Sequence, residues 1–340
     1  MTANEFKSEL KQLAGGYLFC GEEDYLKRHY LSAARDIVVG KDDFFNRIII
    51  TQDNYSPSFL MSSIESLPVM NEKKFIEVLG LNFNDMKEQE LDEFIDVLQK
   101  LPKYEYNVLV VYAYFDSFDI GTPKKPSKVF TKISSVIKPV IFSRETPARL
   151  ASWVSKHFSS ELIIALPDAV NALLKKCGND MSVLASEIQK LCWYLKENGR
   201  DRLTEADVEL VAADSKETIA FEFTDAILNG RVSSALSILN GFRLKKEKPE
   251  IILSGISKTI CDMYAIKILV DSGISATEIS QKLGIHSYRV GIYIKSIANV
   301  EINKLRKLAD ICYDADIRIK FSTLDSYSVL DRLAVEATIR

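Results

Sequence analysis

Histidine is scarce in this chain, cysteine is scattered and long apolar runs are absent. Each shortage removes a class of chemistry. The three histidines, His29, His157 and His286, lie far apart and share no H-x-x-x-H spacing, so the sequence carries no zinc signature. The five cysteines, Cys20, Cys177, Cys192, Cys261 and Cys312, form no C-x-x-C pair and are odd in number. They read as reduced, mostly buried thiols rather than a disulfide framework. No apolar run reaches the roughly 18 residues that a membrane span needs, and the first residues lack the apolar core of a secretion signal. The expected location is therefore cytoplasmic, with no membrane partner. A net charge of −3 gives no global drive toward nucleic acid. There is no G-x-S-x-G, no Cys/His dyad and no paired-carboxylate signature of an active site. No metal or cofactor is expected.

What the chain does have is material for cores: 340 residues, 47% of them apolar, enough for two or three domains. The first part alternates two patterns. Strands are predicted at 17–20, 47–51, 74–79, 108–112 and 139–142, with helices between them at 24–38, 57–66, 86–101 and 127–136. Such alternation implies an α/β domain with a parallel sheet covered on both faces. The continuous runs Ile48-Ile49-Ile50 and Val108-Leu109-Val110-Val111 suit strands buried on both sides.

Where a nucleotide-binding α/β chain would carry its phosphate loop, this one reads Cys20-Gly21-Glu22-Glu23-Asp24 before the helix. A P-loop needs several glycines, a Lys and a Ser or Thr. Three consecutive acids repel phosphate instead. The strand 108–111 runs into Tyr112-Ala113-Tyr114-Phe115 before Asp116, so aromatics stand where an ATPase holds its metal acid. The architecture is that of a nucleotide-binding fold without the nucleotide, and binding is expected rather than catalysis.

After Phe142 the strands are expected to stop. Residues 143–147 read as a linker, and a small helical domain follows. Pro167 opens a helix and Gly178 closes it; Leu184, Ile188, Leu191 and Leu195 make one apolar face; Thr204 and Asp207 have capping-box spacing. From 215 to 340 the pattern is helical almost throughout, with long amphipathic runs at 249–270 and 302–319. The domain expectation is 1–142, 143–214 and 215–340.

Residues 277–297 have the pattern of a helix-turn-helix, whose second helix carries Tyr288, Arg289 and Lys295. Its many isoleucines favour core packing; the alternative is a DNA-binding regulator. The runs Lys245-Lys246-Glu247-Lys248 and Lys124-Lys125-Pro126 read as solvated loops. An ATPase with an atypical loop is a third possibility.

The order of the motifs is similar to one family. Tyr17 to Leu26, Ser66-Leu67-Pro68-Val69-Met70-Asn71-Glu72-Lys73-Lys74-Phe75-Ile76, Trp153-Val154, Gly178-Asn179-Asp180, Glu187 to Leu191, Phe221 to Ile227 and Asp316 to Lys320 resemble the delta subunit of the bacterial DNA polymerase III clamp loader. The resemblance implies an AAA+-like first domain without an ATP site, a helical lid and an all-α C-terminal collar. It implies a subunit without catalysis of its own inside the polymerase holoenzyme. Its partners would be the sliding clamp, the ATPase and delta-prime subunits in a hetero-pentamer, and primed DNA through the assembled complex. Its work would be to grip the ring-shaped clamp and hold one interface open. The family's clamp contact falls here on Leu67, Pro68, Val69 and Met70. Pro68 must break the preceding helix, and apolar side chains on a polar-flanked turn suit a partner's pocket. Where the family often carries an aromatic, this chain has Met70, so the main anchor among Leu67, Val69 and Met70 stays open. The alternative is that Val69 and Met70 pack inward before the next strand.

Overall fold

The computed structural model describes residues 1–41, 43–122, 125–285 and 287–339. They form two compact units, 1–146 and 147–340, and the division falls within the expected linker.

The first unit runs α1 (Ala3–Glu9), β1 (Gly15–Cys20), α2 (Asp24–Val38), β2 (Arg47–Thr51), α3 (Pro57–Glu65), β3 (Lys74–Leu79), α4 (Glu88–Leu98), β4 (Asn107–Tyr112), the two-residue strands β5 (Gly121–Thr122) and β6 (Lys125–Pro126), α5 (Lys128–Ser134) and β7 (Lys138–Ile141). The main sheet is parallel, in the order β2-β3-β4-β1-β7. β4 lies at its centre, and every residue of it is buried. That explains the unbroken apolar run. Two cores form, one on each face. Leu18, Ile76, Leu109 and Val111 join Phe83 and Phe94 on one side. Tyr17, Phe19, Phe75 and Val110 join Phe6 and Leu31 on the other. The charged Glu77 interrupts β3, and Arg47 on β2 forks onto it at 2.8 and 3.2 Å, so the buried carboxylate is satisfied where it lies.

Helix α1 lies outside the predicted elements, although Thr2 and Glu5 form a capping box at its start. At seven residues it is too short for helical periodicity to register. Its Phe6 is fully buried against Tyr17 and Phe19.

The second unit holds α6 (Pro147–Ser160), β8 (Ile164–Ala165), α7 (Pro167–Cys177), α8 (Met181–Glu197), β9 (Arg202–Leu203), α9 (Glu205–Val211), α10 (Lys216–Leu228), α11 (Val232–Leu244), α12 (Pro249–Asp271), α13 (Ala276–Leu283), α14 (Ser287–Ile297), α15 (Ile302–Phe321) and α16 (Ser326–Ile339). The expectation that strands end at Phe142 needs correction: β8 and β9 pair in parallel. With two residues each, neither offers enough alternation to read. The Thr204–Asp207 capping box is present, and Arg200 binds the same carboxylate at 2.6 and 2.8 Å. One hydrophobic core draws only on residues from Ile219 to Ala337. Among the described residues no helix is long and apolar enough to cross a membrane.

Candidate functional site

Two places in the first unit bear on function: the crevice at the carboxyl ends of β1 and β4, and the turn after α3.

In a parallel sheet, ligands bind beyond the strand ends where the strand order reverses. Here the chain leaves β1 for the far edge and returns through β3 and β4 to β1's side. The crevice at that point is filled from within. Lys27 of α2 is fully buried. Its Nζ donates to the Ala113 carbonyl at 2.8 Å and pairs with Asp24 at 2.7 Å, 5.1 Å from the centre of the Tyr112 ring. The Tyr112 hydroxyl donates back to Asp24, 3.3 Å from both its carbonyl and a carboxylate oxygen. Burial, and then the Asp24 charge, push that phenol well above its usual range. At the turn itself Gly21 takes φ 106°, and a Cβ there would come within 2.5 Å of the Phe142 carbonyl oxygen. The Glu23 N–H is committed to that same carbonyl at 3.0 Å. Glu22 pairs with Arg144 at 2.9 Å. The acids that read as phosphate-repelling are therefore also structural: Glu22 and Asp24 hold ion-pair partners in the fold. Among the described residues no group of His, Cys, Asp and Glu could hold a metal ion.

The turn after α3 is built from a capped helix end. The last carbonyls of a helix have no partner within it, and here side chains from β3, from the start of β4 and from Tyr106 just before it meet four in succession. Buried Lys74 donates to the Ser63 carbonyl at 2.5 Å, to the Ser66 carbonyl and to the Ser66 hydroxyl at 2.8 Å. Asn107 donates to Ile64 at 3.0 Å and Tyr106 to Glu65 at 2.8 Å. Burial draws the Lys74 ammonium down to about 8. Its oxygen partners and the negative end of the helix favour the charged form, so it is a cation at neutral pH.

With α3 stopped at that point, Leu67, Pro68, Val69 and Met70 project as a tip. Leu67 is 74% exposed, Val69 51% and Met70 fully so, while Pro68 is half-buried. The inward-packing alternative does not hold. Met70 sits in the left-handed region at φ 53°, a conformation costly for a residue with a Cβ. What holds it is Asn46, buried just before β2. Its amide oxygen accepts from the Val69 N–H at 2.7 Å and its amide nitrogen donates to the Val69 carbonyl at 2.9 Å. The same nitrogen donates to Asp43 at 2.6 Å, and Asn71 on the far side of the tip reaches Asp43 at 3.2 Å. The Asn46 side-chain and backbone hydrogen bonds keep the Asp43 carboxyl below its usual range. Sequence reasoning found the tip and missed its supports. Asn46 and Lys74 are distant polar residues whose role exists only once β2 and β3 pair.

The other candidates resolve differently. In the 277–297 unit, Ile279, Val290, Tyr293 and Ile297 are core residues. Arg289 is ion-paired with Glu217 of α10, and Lys295 is exposed. The unit packs as the isoleucines suggested, and the arginine that could have met DNA is engaged inside the fold. The Tyr288 side chain, His286 and Lys124 lie outside the described residues. Lys125, Lys245, Lys246 and Lys248 are exposed, as solvated loops require.

Fold and motifs together resemble those of clamp-loader subunits of the delta type. Residues 217–337 match the family model described as DNA polymerase III delta subunit, C-terminal domain. The DNA polymerase III subunit delta of Bacillus subtilis is 23% identical over 324 residues, covering 93% of this chain and 90% of that protein. The Escherichia coli subunit of the same name is 28% identical over 140 residues, 41% of this chain and 39% of that protein. The solved structure of the Bacillus subtilis DNA clamp loader delta protein shares the fold, with a TM-score of 0.71 at 20% identity, across 99% of this chain and all of that one. The resemblance read from the motifs stands: the chain is similar to the DNA polymerase III delta subunits along nearly its whole length.

Proposed function

We propose that this chain is a non-catalytic clamp-loader subunit that binds the sliding clamp through Leu67, Val69 and Met70 and helps hold the ring open for loading onto primed DNA. The relatives are DNA polymerase III delta subunits, which supports the clamp-loader role and membership of a complex with other loader subunits. The observation that carries the finer reading is the tip itself. Three exposed apolar side chains stand on a strained turn that a buried asparagine holds in place. Folding has no use for such an arrangement, whereas a partner pocket does, because preformed apolar anchors bind without first being ordered.

The self-filled crevice supports the non-catalytic reading. Lys27 and Tyr112 fill the crevice at the carboxyl ends of β1 and β4, where a parallel sheet of this kind takes its ligand. ATP would then bind partner subunits. The 143–214 segment would act as the lid, and the helical 215–340 segment as the collar that joins ATPase and delta-prime subunits in a hetero-pentamer. The test is titration of the purified full chain against the purified sliding clamp of the same organism, without nucleotide. Saturable binding is expected. A failure to bind at micromolar concentrations by a folded chain would remove the reading.

A further inference from the structure

We infer that Phe44 and Phe45 form the second half of the clamp-binding surface, two aromatic anchors set beside the 67–70 tip. The inference rests on the clamp-binding reading of that tip. Both rings stand in solvent, Phe44 80% and Phe45 82% exposed. Single exposed apolar residues are ordinary on a protein surface, but adjacent exposed phenylalanines are not, since each ring could otherwise bury roughly 150–250 Å².

Residues 43–46, which carry them, are joined by hydrogen bonds. Asp43 accepts from the N–H groups of Phe45 and Asn46, both at 3.0 Å. This closes an Asx-type turn, which an Asp or Asn side chain makes by accepting from the backbone two residues on. The loop and the tip are also one body. Asn46, the residue after Phe45, is the side chain that grips Val69 on both its N–H and its carbonyl. Asp43, the residue before Phe44, reaches Asn71 beyond the tip. The two aromatic rings are thus bracketed by the residues that hold Met70 in its strained conformation. A partner seated on Val69 and Met70 would therefore cover the loop as well. The tip offers only aliphatic anchors. Interfaces draw their strongest anchors from larger side chains, aromatics prominent among them, and the loop supplies them at the same place. Five exposed apolar side chains, Phe44, Phe45, Leu67, Val69 and Met70, would then meet the clamp.

The experiment titrates the purified sliding clamp with three forms of the full chain: wild type, Phe44→Ser/Phe45→Ser, and Val69→Asp/Met70→Asp. Urea unfolding is followed on each. The phenylalanine variant is expected to bind at least tenfold more weakly with its unfolding midpoint unchanged, because neither ring lies in the core. If it binds within twofold of wild type while the tip variant has lost binding, the loop is no part of the surface, although the tip reading survives. If neither variant loses affinity, the tip reading fails and this inference with it. Should the serine variant fold poorly, Phe44→Leu/Phe45→Leu keeps the loop apolar and is expected to bind about fivefold more weakly. Binding by that form within twofold of wild type would overturn the proposal equally.

Discussion

Replacing Asn46 by alanine should disable the tip without touching any of its apolar side chains. The substitution removes three side-chain hydrogen bonds, two to the Val69 backbone at 2.7 and 2.9 Å and one to Asp43 at 2.6 Å. Neutral hydrogen bonds contribute about 1 kcal/mol net and one to a carboxylate about twice that. The ceiling is therefore about 4 kcal/mol. Val69 and Asp43 lie near water, which takes over part of the pairing, so about 2 kcal/mol of stability is expected to go. Binding should suffer separately. Once released, Met70 leaves its left-handed conformation, which costs about 1–2 kcal/mol to restore, and the freed backbone must be ordered again at about 1 kcal/mol or more per residue. Clamp affinity should fall roughly 10- to 100-fold, equivalent to about 1.4–2.7 kcal/mol. Urea unfolding and calorimetric titration of the clamp on one preparation give both numbers. Met70→Gly is the counterpart. It relieves the strain and should gain up to about 1 kcal/mol of stability, yet lose affinity because the side chain is gone. If Asn46→Ala costs the expected stability while clamp affinity stays within threefold of wild type, the turn's geometry is not what the clamp recognises.

Three further outcomes are expected. Lys27→Ala should destabilise the first unit by about 3 kcal/mol, because Asp24 and the Ala113 carbonyl lose their buried partner; a loss under about 1 kcal/mol in urea unfolding would show that the crevice does not depend on it. The isolated chain should bind no ATP-Mg²⁺ at physiological levels, and calorimetry giving a dissociation constant tighter than about 100 μM, near −5.5 kcal/mol, would contradict the filled-crevice account. The Asp207 carboxyl, held down to about 2 mainly by the Arg200 hydrogen bond, sits near 3.8 when unpaired. A depressed folded value means stability that is complete above about pH 4 and lost as the pH falls toward 2, so the advantage of wild type over Asp207→Asn should be full at pH 6 and gone near pH 2. A gap that persists unchanged at pH 2 would assign it to packing rather than to the charge.

The elements that periodicity marks well were legible in the sequence. The five main strands fall where the apolar runs placed them, and α2, α12 and α15 begin at the residues expected. The tip was placed by the family resemblance: Pro68, which must end a helix, and apolar residues among polar neighbours left projection and inward packing both open. Its supports were not. Lys74 reads as one more lysine at a strand start until α3's carbonyls come down on it, and Asn46 reads as loop until Val69 reaches it from 23 residues away. Phe44 and Phe45 carry no sign of exposure, because aromatic pairs before a strand usually turn inward. Helix α1 and the β8–β9 pair are shorter than any pattern can resolve. Burial and partnership are properties of the pairing between segments, and a single sequence without relatives holds no record of that pairing.

The account stands most directly on one measurement: the affinity of the Val69→Asp/Met70→Asp chain for the purified sliding clamp, with assembly into the loader followed on the same preparation. Two apolar anchors supply about 2–4 kcal/mol on burial, and charges forced into their pocket add to the loss. Binding should therefore fall at least a hundredfold while assembly is retained, since tip and helical unit are distant in the chain and independent in effect. Clamp affinity within threefold of wild type, under about 1 kcal/mol, from a chain that still folds and assembles, would contradict it.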